Sequence, residues 1–115
     1  MLPKQGTATD AQYQTVLRVM GDLTPSPLNY EKAGEIISAI NYAAAIRDTI
    51  KRDGNQCTKN LRQITQFIRT NLDIHIDVIR WAKSRFKRGT HNGTAPLRKT
   101  LHFQKVYDFA SSGNQ

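Results

Sequence analysis

Hydrophobic residues recur at helical spacing along most of the chain. The first pattern steps by three and four positions, begins after a possible N-cap at Thr9 or Asp10, ends at Gly21, and consists of Tyr13, Val16, Leu17 and Met20. We therefore expect a short amphipathic helix there. Pro25 and Pro27 follow and predict an extended connector, because each proline disfavours helix in the residue before it.

A second, longer pattern runs from about Tyr30 to Asp53, with Asn29 as its expected cap. Its apolar positions form a broad helical stripe: Ile36, Ile37, Ile40, Ala43, Ala44, Ile46 and Ile50. Gly54 is suited to end this helix, and either Asn55 or Thr58 is suited to cap the next one. So short a connection between two amphipathic helices favours an antiparallel helical hairpin.

The third pattern covers residues 58–88 and contains one conflict. Apolar residues step by three, four or seven at Leu61, Ile64, Ile68, Leu72, Ile79, Ala82 and Phe86. Between Leu72 and Val78, however, they alternate as in a strand. Because no glycine or proline interrupts the segment, we predict one long helix. The alternative is a break near Asn71, which would serve as a fresh N-cap.

The C-terminal part carries weaker signals. Residues 89–96 have the composition of a loop, and residues 97–109 fit either a strand or a helical turn, so we expect a loose tail. This gives three segments: 1–28, with a short helix and connector; 29–88, the hairpin; and 89–115, a basic loop and tail. The predicted fold class is all-α.

One hairpin cannot bury both of its wide apolar faces, so we expect two copies to pair into a four-helix bundle. The candidate core and dimer residues are Ile36, Ile40, Leu61, Ile64, Ile68, Leu72 and Ile79.

Charge points to the class of partner. The chain has 17 Lys and Arg against 9 Asp and Glu, a net charge of +8, which favours a polyanion: nucleic acid first and an anionic membrane surface second. No apolar run approaches the roughly 18 residues that a membrane span needs. A single cysteine, Cys57, is typical of a reduced intracellular thiol, so we expect an intracellular protein.

Four cations share one side of the predicted long helix: Arg62, Arg69, Arg80 and Lys87, here called the basic row. Their spacings are close to whole turns, so on a straight helix the basic row is about 37 Å long. Lys83 flanks it, while Asp73 and Asp77 lie near it and oppose its charge. A straight line of cations suits a nucleic-acid duplex, because each phosphate contact adds affinity independently of sequence.

Other residues offer weaker candidates. Arg47 lies in the apolar stripe of the second pattern, where it either extends its charge to solvent along the apolar surface or marks a seam left open for a ligand or an acidic partner. Trp81 lies in a basic segment that also holds Phe86 and Phe103, and it is a candidate for stacking on bases. We expect no metal site or cofactor: on a helix Asp73 and Asp77 do not converge with His75, which is better explained as a seam residue. Without a nucleophile and paired base or a phosphate-binding glycine loop, we expect no enzyme.

The layout from Glu35 to Phe86 resembles the small nodavirus RNA-silencing suppressors that bind double-stranded RNA. An amphipathic helix, the turn DGNQCTKN and a long helix carry the resemblance, with Leu61, Ile64, Phe67, Ile68, Asn71 and Leu72 as the matching positions. It implies an antiparallel homodimer along A-form RNA that shields the duplex from dicing in the host cytoplasm, whatever its sequence. Lys59 matches a basic position of the family. Two later basic positions fall near Thr70 and Asp77, where this chain departs.

Two other functions stay open. In a small helix-turn-helix-like DNA-binding regulator, residues 81–88 would enter a major groove. In a protein-interaction adaptor, the basic face would simply be solvated.

Overall fold

The computed structural model describes residues 7–88 and 97–112, with residues 85–88 described by their backbone alone. Within these ranges the chain forms five α-helices: α1 (Asp10–Met20), α2 (Tyr30–Arg52), α3 (Leu61–Thr70), α4 (Leu72–Arg88) and α5 (Phe103–Ser111). Single 3₁₀ turns cover Gly21–Leu23 and Leu97–Lys99. The predicted all-α fold class is confirmed, and the alternating patch at residues 72–78 is helical. None of the described helices is long and apolar enough to cross a membrane.

The first helix begins and ends where the sequence predicts. Thr9 caps α1 through a capping box with Gln12, and Gly21 ends it with a φ of +52°. The start of α1 lies beside the start of α2, because the Ala8 amide donates to the Leu28 carbonyl at 3.2 Å. Asn29 caps α2 by accepting from the Lys32 amide at 2.7 Å.

The long helix α2 is the centre of the fold, and each of the other four helices packs against it. The first half of α2 contributes Ala33, Ile36 and Ile40 to a core cluster shared with α1. Residues from Ala39 to Ile50 contribute to a larger cluster shared with α3, α4 and α5. Helix α4 runs alongside α2 in the same direction. His75 Nε2 lies 3.0 Å from the Glu35 carbonyl, and the Trp81 ring meets Tyr42 edge-on at 5.0 Å.

The prediction of one continuous helix over residues 58–88 is wrong, because the chain bends at Asn71. This residue is extended, with φ −114° and ψ 95°, and its side-chain amide donates to the Phe67 carbonyl at 2.7 Å. The Asn71 side chain therefore closes the end of α3, while its backbone carbonyl begins α4 by accepting from the Ile74 and His75 amides at 3.0 and 2.9 Å. The bend allows α3 and α4 each to bury an apolar face against α2. Helix α3 itself is capped by Asn60, not by Asn55 or Thr58.

The C-terminal segment is an integral part of the core, so the expected loose tail is also wrong for the described residues 97–112. Phe103, Val106 and Ala110 of α5 are buried in the larger cluster. The end of α5 is tied to the loop before α3: the Thr58 amide donates to the Ala110 carbonyl at 2.8 Å, and its hydroxyl donates to the Ser112 carbonyl at 2.6 Å.

The apolar faces of α2 and α3 are covered within one chain. Of the predicted core residues, four are buried (Ile36, Ile40, Ile64 and Ile68) and two are partly buried (Leu61 and Ile79). Leu72 is 69% exposed, so its assignment to the core is wrong. After the bend, Ile74 and Val78 face α2 in its place. Because α1, α4 and α5 cover these faces, they no longer require a second copy.

Candidate nucleic-acid interface

The predicted basic residues differ in their exposure to solvent. Arg47, Arg62, Arg80 and Lys83 are exposed, whereas Lys59 and Arg69 are partly exposed. Of the two alternatives for Arg47, the structure favours the side chain that extends to solvent, because the buried positions of α2 leave it exposed. The side chain of Lys87 lies outside the described part.

The basic row does not form a straight line. Arg62 and Arg69 belong to α3, Arg80 belongs to α4, and the bend at Asn71 separates them. The 37 Å line of cations that residues 58–88 were expected to carry is therefore absent from the described residues, and each cation has its own surroundings.

Arg62 contacts the end of α1. Its Nε donates to the Val19 carbonyl at 3.3 Å, where the helix dipole of α1 favours a positive charge. Gly21 makes this approach possible: a Cβ at that position would lie 2.8 Å from Nη2 of Arg62. The contact orients the guanidinium without neutralising it.

Arg69 is held closer to the protein. Its Nη1 donates to Oε1 of Gln66 at 3.4 Å, and burial lowers the pKa of the guanidinium from its usual value. Partial desolvation makes Arg69 a poorer phosphate ligand than the exposed Arg62.

Arg80 lies in a hollow of about 280 Å³ together with two carboxylates. The lining residues are Asp73, Ile76, Asp77, Arg80, Leu101 and His102. Asp77 is buried and accepts from the His102 amide at 3.2 Å. A polyanion would meet negative charge beside Arg80, so this part of the basic row is unsuited to phosphate.

A groove of about 440 Å³ offers a better site, here called the α3–α5 groove. It lies between α3, α5 and the turn after α1, and it is lined by Leu23, Lys59, Arg62, Gln63, Gln66, Phe67, Thr70 and Phe109. The described residues that line it include two cations and no acid. The side-chain amides of Gln63 and Gln66 and the hydroxyl of Thr70 supply hydrogen-bond donors and acceptors beside the charges.

Two stacked rings form the apolar part of the α3–α5 groove. Phe67 and Phe109 lie with centroids 4.2 Å apart and planes within 7° of parallel, and Nζ of Lys59 lies 4.8 Å from the Phe109 centroid. Flat apolar rings next to Lys and Arg are the combination that binds unpaired nucleotides, since bases stack while cations contact phosphates.

The sequence indicated different aromatic residues. Trp81 and Phe103 are each 7% exposed, so the prediction of Trp81 as a stacking residue is wrong. Phe109 was missed because its segment was expected to be loose. Phe67 carried a signal, since it lies beside the apolar stripe of α3 and not at its centre.

Arg98 serves the fold and is not free for a ligand. It forms an ion pair with Asp53 at 2.7 Å, and it lies 5.5 Å from the Phe103 centroid. Hydrogen bonds from Arg98 and Tyr107 lower the pKa of the Asp53 carboxyl. The pair therefore attaches the segment before α5 to the end of α2.

The described residues contain no cluster of three or more His, Cys, Asp or Glu side chains that could hold a metal ion. Comparisons with protein-family models, curated proteins and solved structures gave no match for this chain.

Proposed function

We propose that this chain binds RNA through charge, independently of sequence, with duplex RNA as its main ligand. The observation that carries the proposal is the acid-free pair Lys59 and Arg62 at the rim of the α3–α5 groove. Lys51 and Arg52, at the end of α2, add exposed cations near the same end of the hairpin. With a net charge of +8, such a cluster releases counterions from a phosphate backbone.

The proposed biological role follows the resemblance to nodavirus suppressors of RNA silencing. A bound duplex would be shielded from dicing, in the host cytoplasm if the protein is viral. A homodimer would present the cationic cluster twice and extend the length of duplex covered. The bend at Asn71 means that contact is made by a compact cluster instead of a long line.

A second candidate ligand is single-stranded RNA, which the α3–α5 groove favours. Bases in a duplex are already stacked on one another, whereas an unpaired base is free to lie against Phe67, Phe109 or Leu23. A duplex with a single-stranded end would engage both the cationic rim and the rings.

The deciding experiment measures fluorescence anisotropy of the full chain with labelled duplex RNA, single-stranded RNA and duplex DNA. Three unrelated sequences of each, at several salt concentrations, separate charge from sequence. We expect equal affinity across duplex RNA sequences and a steep loss of affinity with salt. If the chain binds none of these nucleic acids at about 150 mM salt, the result supports the adaptor function instead. A preference of roughly a thousandfold for one DNA site would support the DNA-binding regulator.

Matched variants locate the site. Lys59→Gln and Arg62→Gln should each reduce the slope of log affinity against log salt by about one unit. Lys105→Gln, which removes an equal charge from the exposed face of α5, is the control and should change the slope less. Arg80→Gln should resemble the control, because carboxylates surround Arg80. Equal slopes for all four variants would contradict the assignment to the groove.

A further inference from the structure

Helix α4 carries an exposed apolar strip that the proposed RNA contact does not use. Leu72 is 69% exposed, Ile76 is 45% exposed, and Leu101 of the adjoining segment is 76% exposed. Leu72 and Ile76 lie four residues apart and share a face of α4. Ile76 and Leu101 line the same hollow, so the three side chains form one continuous surface.

Opposite charges flank this strip. Asp73 lies three residues before Ile76 and Arg80 lies four residues after it, and both are exposed. Neither side chain takes part in the ion pair of Arg98 with Asp53 or in the approach of His102 Nδ1 to the Asp77 carboxylate at 3.5 Å. We call the five residues Leu72, Asp73, Ile76, Arg80 and Leu101 the α4 surface.

The arrangement of the α4 surface is complementary to itself. When two antiparallel α4 helices cross at Ile76, a residue before Ile76 in one copy faces a residue at a similar distance after Ile76 in the other. Asp73 then lies beside Arg80 of the second copy, and the two-fold axis generates the same pair again. The apolar side chains meet between these two ion pairs.

We propose that the α4 surface binds a second copy of this chain through this two-fold, antiparallel contact. Its mixed charge disfavours a polyanion, because Asp73 would face the phosphates. The contact uses the exposed side of α4, whereas the opposite side of α4 is buried against α2. The dimer therefore forms through a surface other than the apolar faces predicted to pair, and its formation does not depend on RNA.

The contact is small, with three apolar side chains from each copy, so the dimer is a weak one. Burial of these side chains drives the association, and the ion pairs set the orientation. Repulsion between two copies of charge +8 opposes it.

Sedimentation velocity of the full chain, without nucleic acid, under reducing conditions and at about 150 mM salt, tests the proposal. Over concentrations from micromolar to submillimolar, we expect the mass to rise from 13.0 kDa toward twice that value. Ile76→Glu should weaken dimerisation at least tenfold. Leu17→Glu makes the same change at another exposed apolar residue, on α1, and should leave dimerisation within twofold of the native chain. A monomer at every concentration would overturn the proposal.

Charge exchange tests the antiparallel register. Asp73→Arg and Arg80→Asp should each weaken dimerisation by several fold, and the double variant should restore it. Arg80→Asp lowers the net positive charge by two, so the weaker long-range repulsion between two copies would by itself strengthen dimerisation. The proposed contact instead requires that Arg80→Asp weakens dimerisation. Failure of the double variant to recover would overturn the register. RNA affinity measured on the same proteins keeps this outcome separate from that of the proposed function.

Discussion

Phe109 of α5 stacks on Phe67 of α3, with the ring centroids 4.2 Å apart and the planes within 7° of parallel. This contact fixes α5 against α3, and the hydrogen bonds from Thr58 to Ala110 and Ser112 hold its end. The same two rings form the apolar part of the α3–α5 groove. Stability and the candidate binding site therefore depend on one pair of side chains.

Truncation of Phe109 should lower the stability of the whole domain. We expect Phe109→Ala to reduce the free energy of unfolding by about 2 kcal/mol, since a partly buried ring is lost along with its stacking. Phe109→Leu should cost about half as much. Urea unfolding followed by circular dichroism measures both, with Lys105→Ala on the exposed side of α5 as the control. A Phe109→Ala chain within 0.5 kcal/mol of the native one, judged against the usual scatter of surface substitutions, would contradict the packed position of α5.

Two glycines should respond in opposite directions to alanine. Gly21 has a φ of +52° and lies against Arg62, so Gly21→Ala should lower the free energy of unfolding by about 1–2 kcal/mol. Gly34 lies within α2, and apart from its chain neighbours and the adjacent backbone of α2, no described atom is within 4 Å of the position of an added Cβ. Gly34→Ala should therefore stabilise the chain by about 0.5–1 kcal/mol. Thermal unfolding of both variants checks the opposite signs.

Tyr42 should make the fold sensitive to high pH. Burial, with a contribution from the Asp77 carboxylate, raises the pKa of Tyr42 to about 12 from its usual 10.0. The folded state holds the phenol proton more tightly than the unfolded state, so this stabilisation is complete below pH 10 and is lost as the pH rises toward 12. Tyr42→Phe should lose about 1 kcal/mol at neutral pH, with the hydrogen bond to Thr100, and should show a shallower alkaline decline.

Denaturant unfolding of the native and Tyr42→Phe chains between pH 8 and 11.5 measures that difference. The gap in stability between the two chains should narrow as the pH rises. A constant gap would show that the Tyr42 phenol ionises equally easily in both states.

Asp53 should contribute to stability above the acid range. The Arg98 hydrogen bond and then the Tyr107 hydrogen bond lower the carboxyl pKa from its usual 3.8. The contribution is therefore present above about pH 4 and is lost as the pH falls through the lowered pKa. Asp53→Asn should show a smaller drop in melting temperature between pH 5 and 2 than the native chain. Asp48→Asn, an exposed acid on the same helix, is the control.

The parts of the fold that local signals determine were predictable. Thr9, Gly21 and Asn29 bounded α1 and α2 correctly, because caps and turns act through neighbouring backbone atoms. The bend at Asn71 was named only as an alternative, since the apolar period continues on both sides of it. Packing of α3 and α4 against the same helix decides the bend, and that competition is not visible in a local pattern.

The candidate site was less predictable, because it is assembled from distant segments. Arg62 was identified from charge and helical phase, and Lys59 from the resemblance to the nodavirus suppressors. Phe109 joins them only because α5 packs on α3, and Leu23 joins them through the turn after α1. Arg80 shared the helical phase of Arg62 but has a different environment, because the bend moves it to a surface shared with Asp73.

The packing of Phe103, Val106 and Ala110 also sets the order in which the chain can fold during synthesis. These residues complete a core whose other members lie between Ala39 and Ala82. Until α5 is in place, α2, α3 and α4 keep part of their apolar surface uncovered. The cooperative folding step must therefore wait for α5, and a chaperone that covers exposed apolar helices would act in that interval.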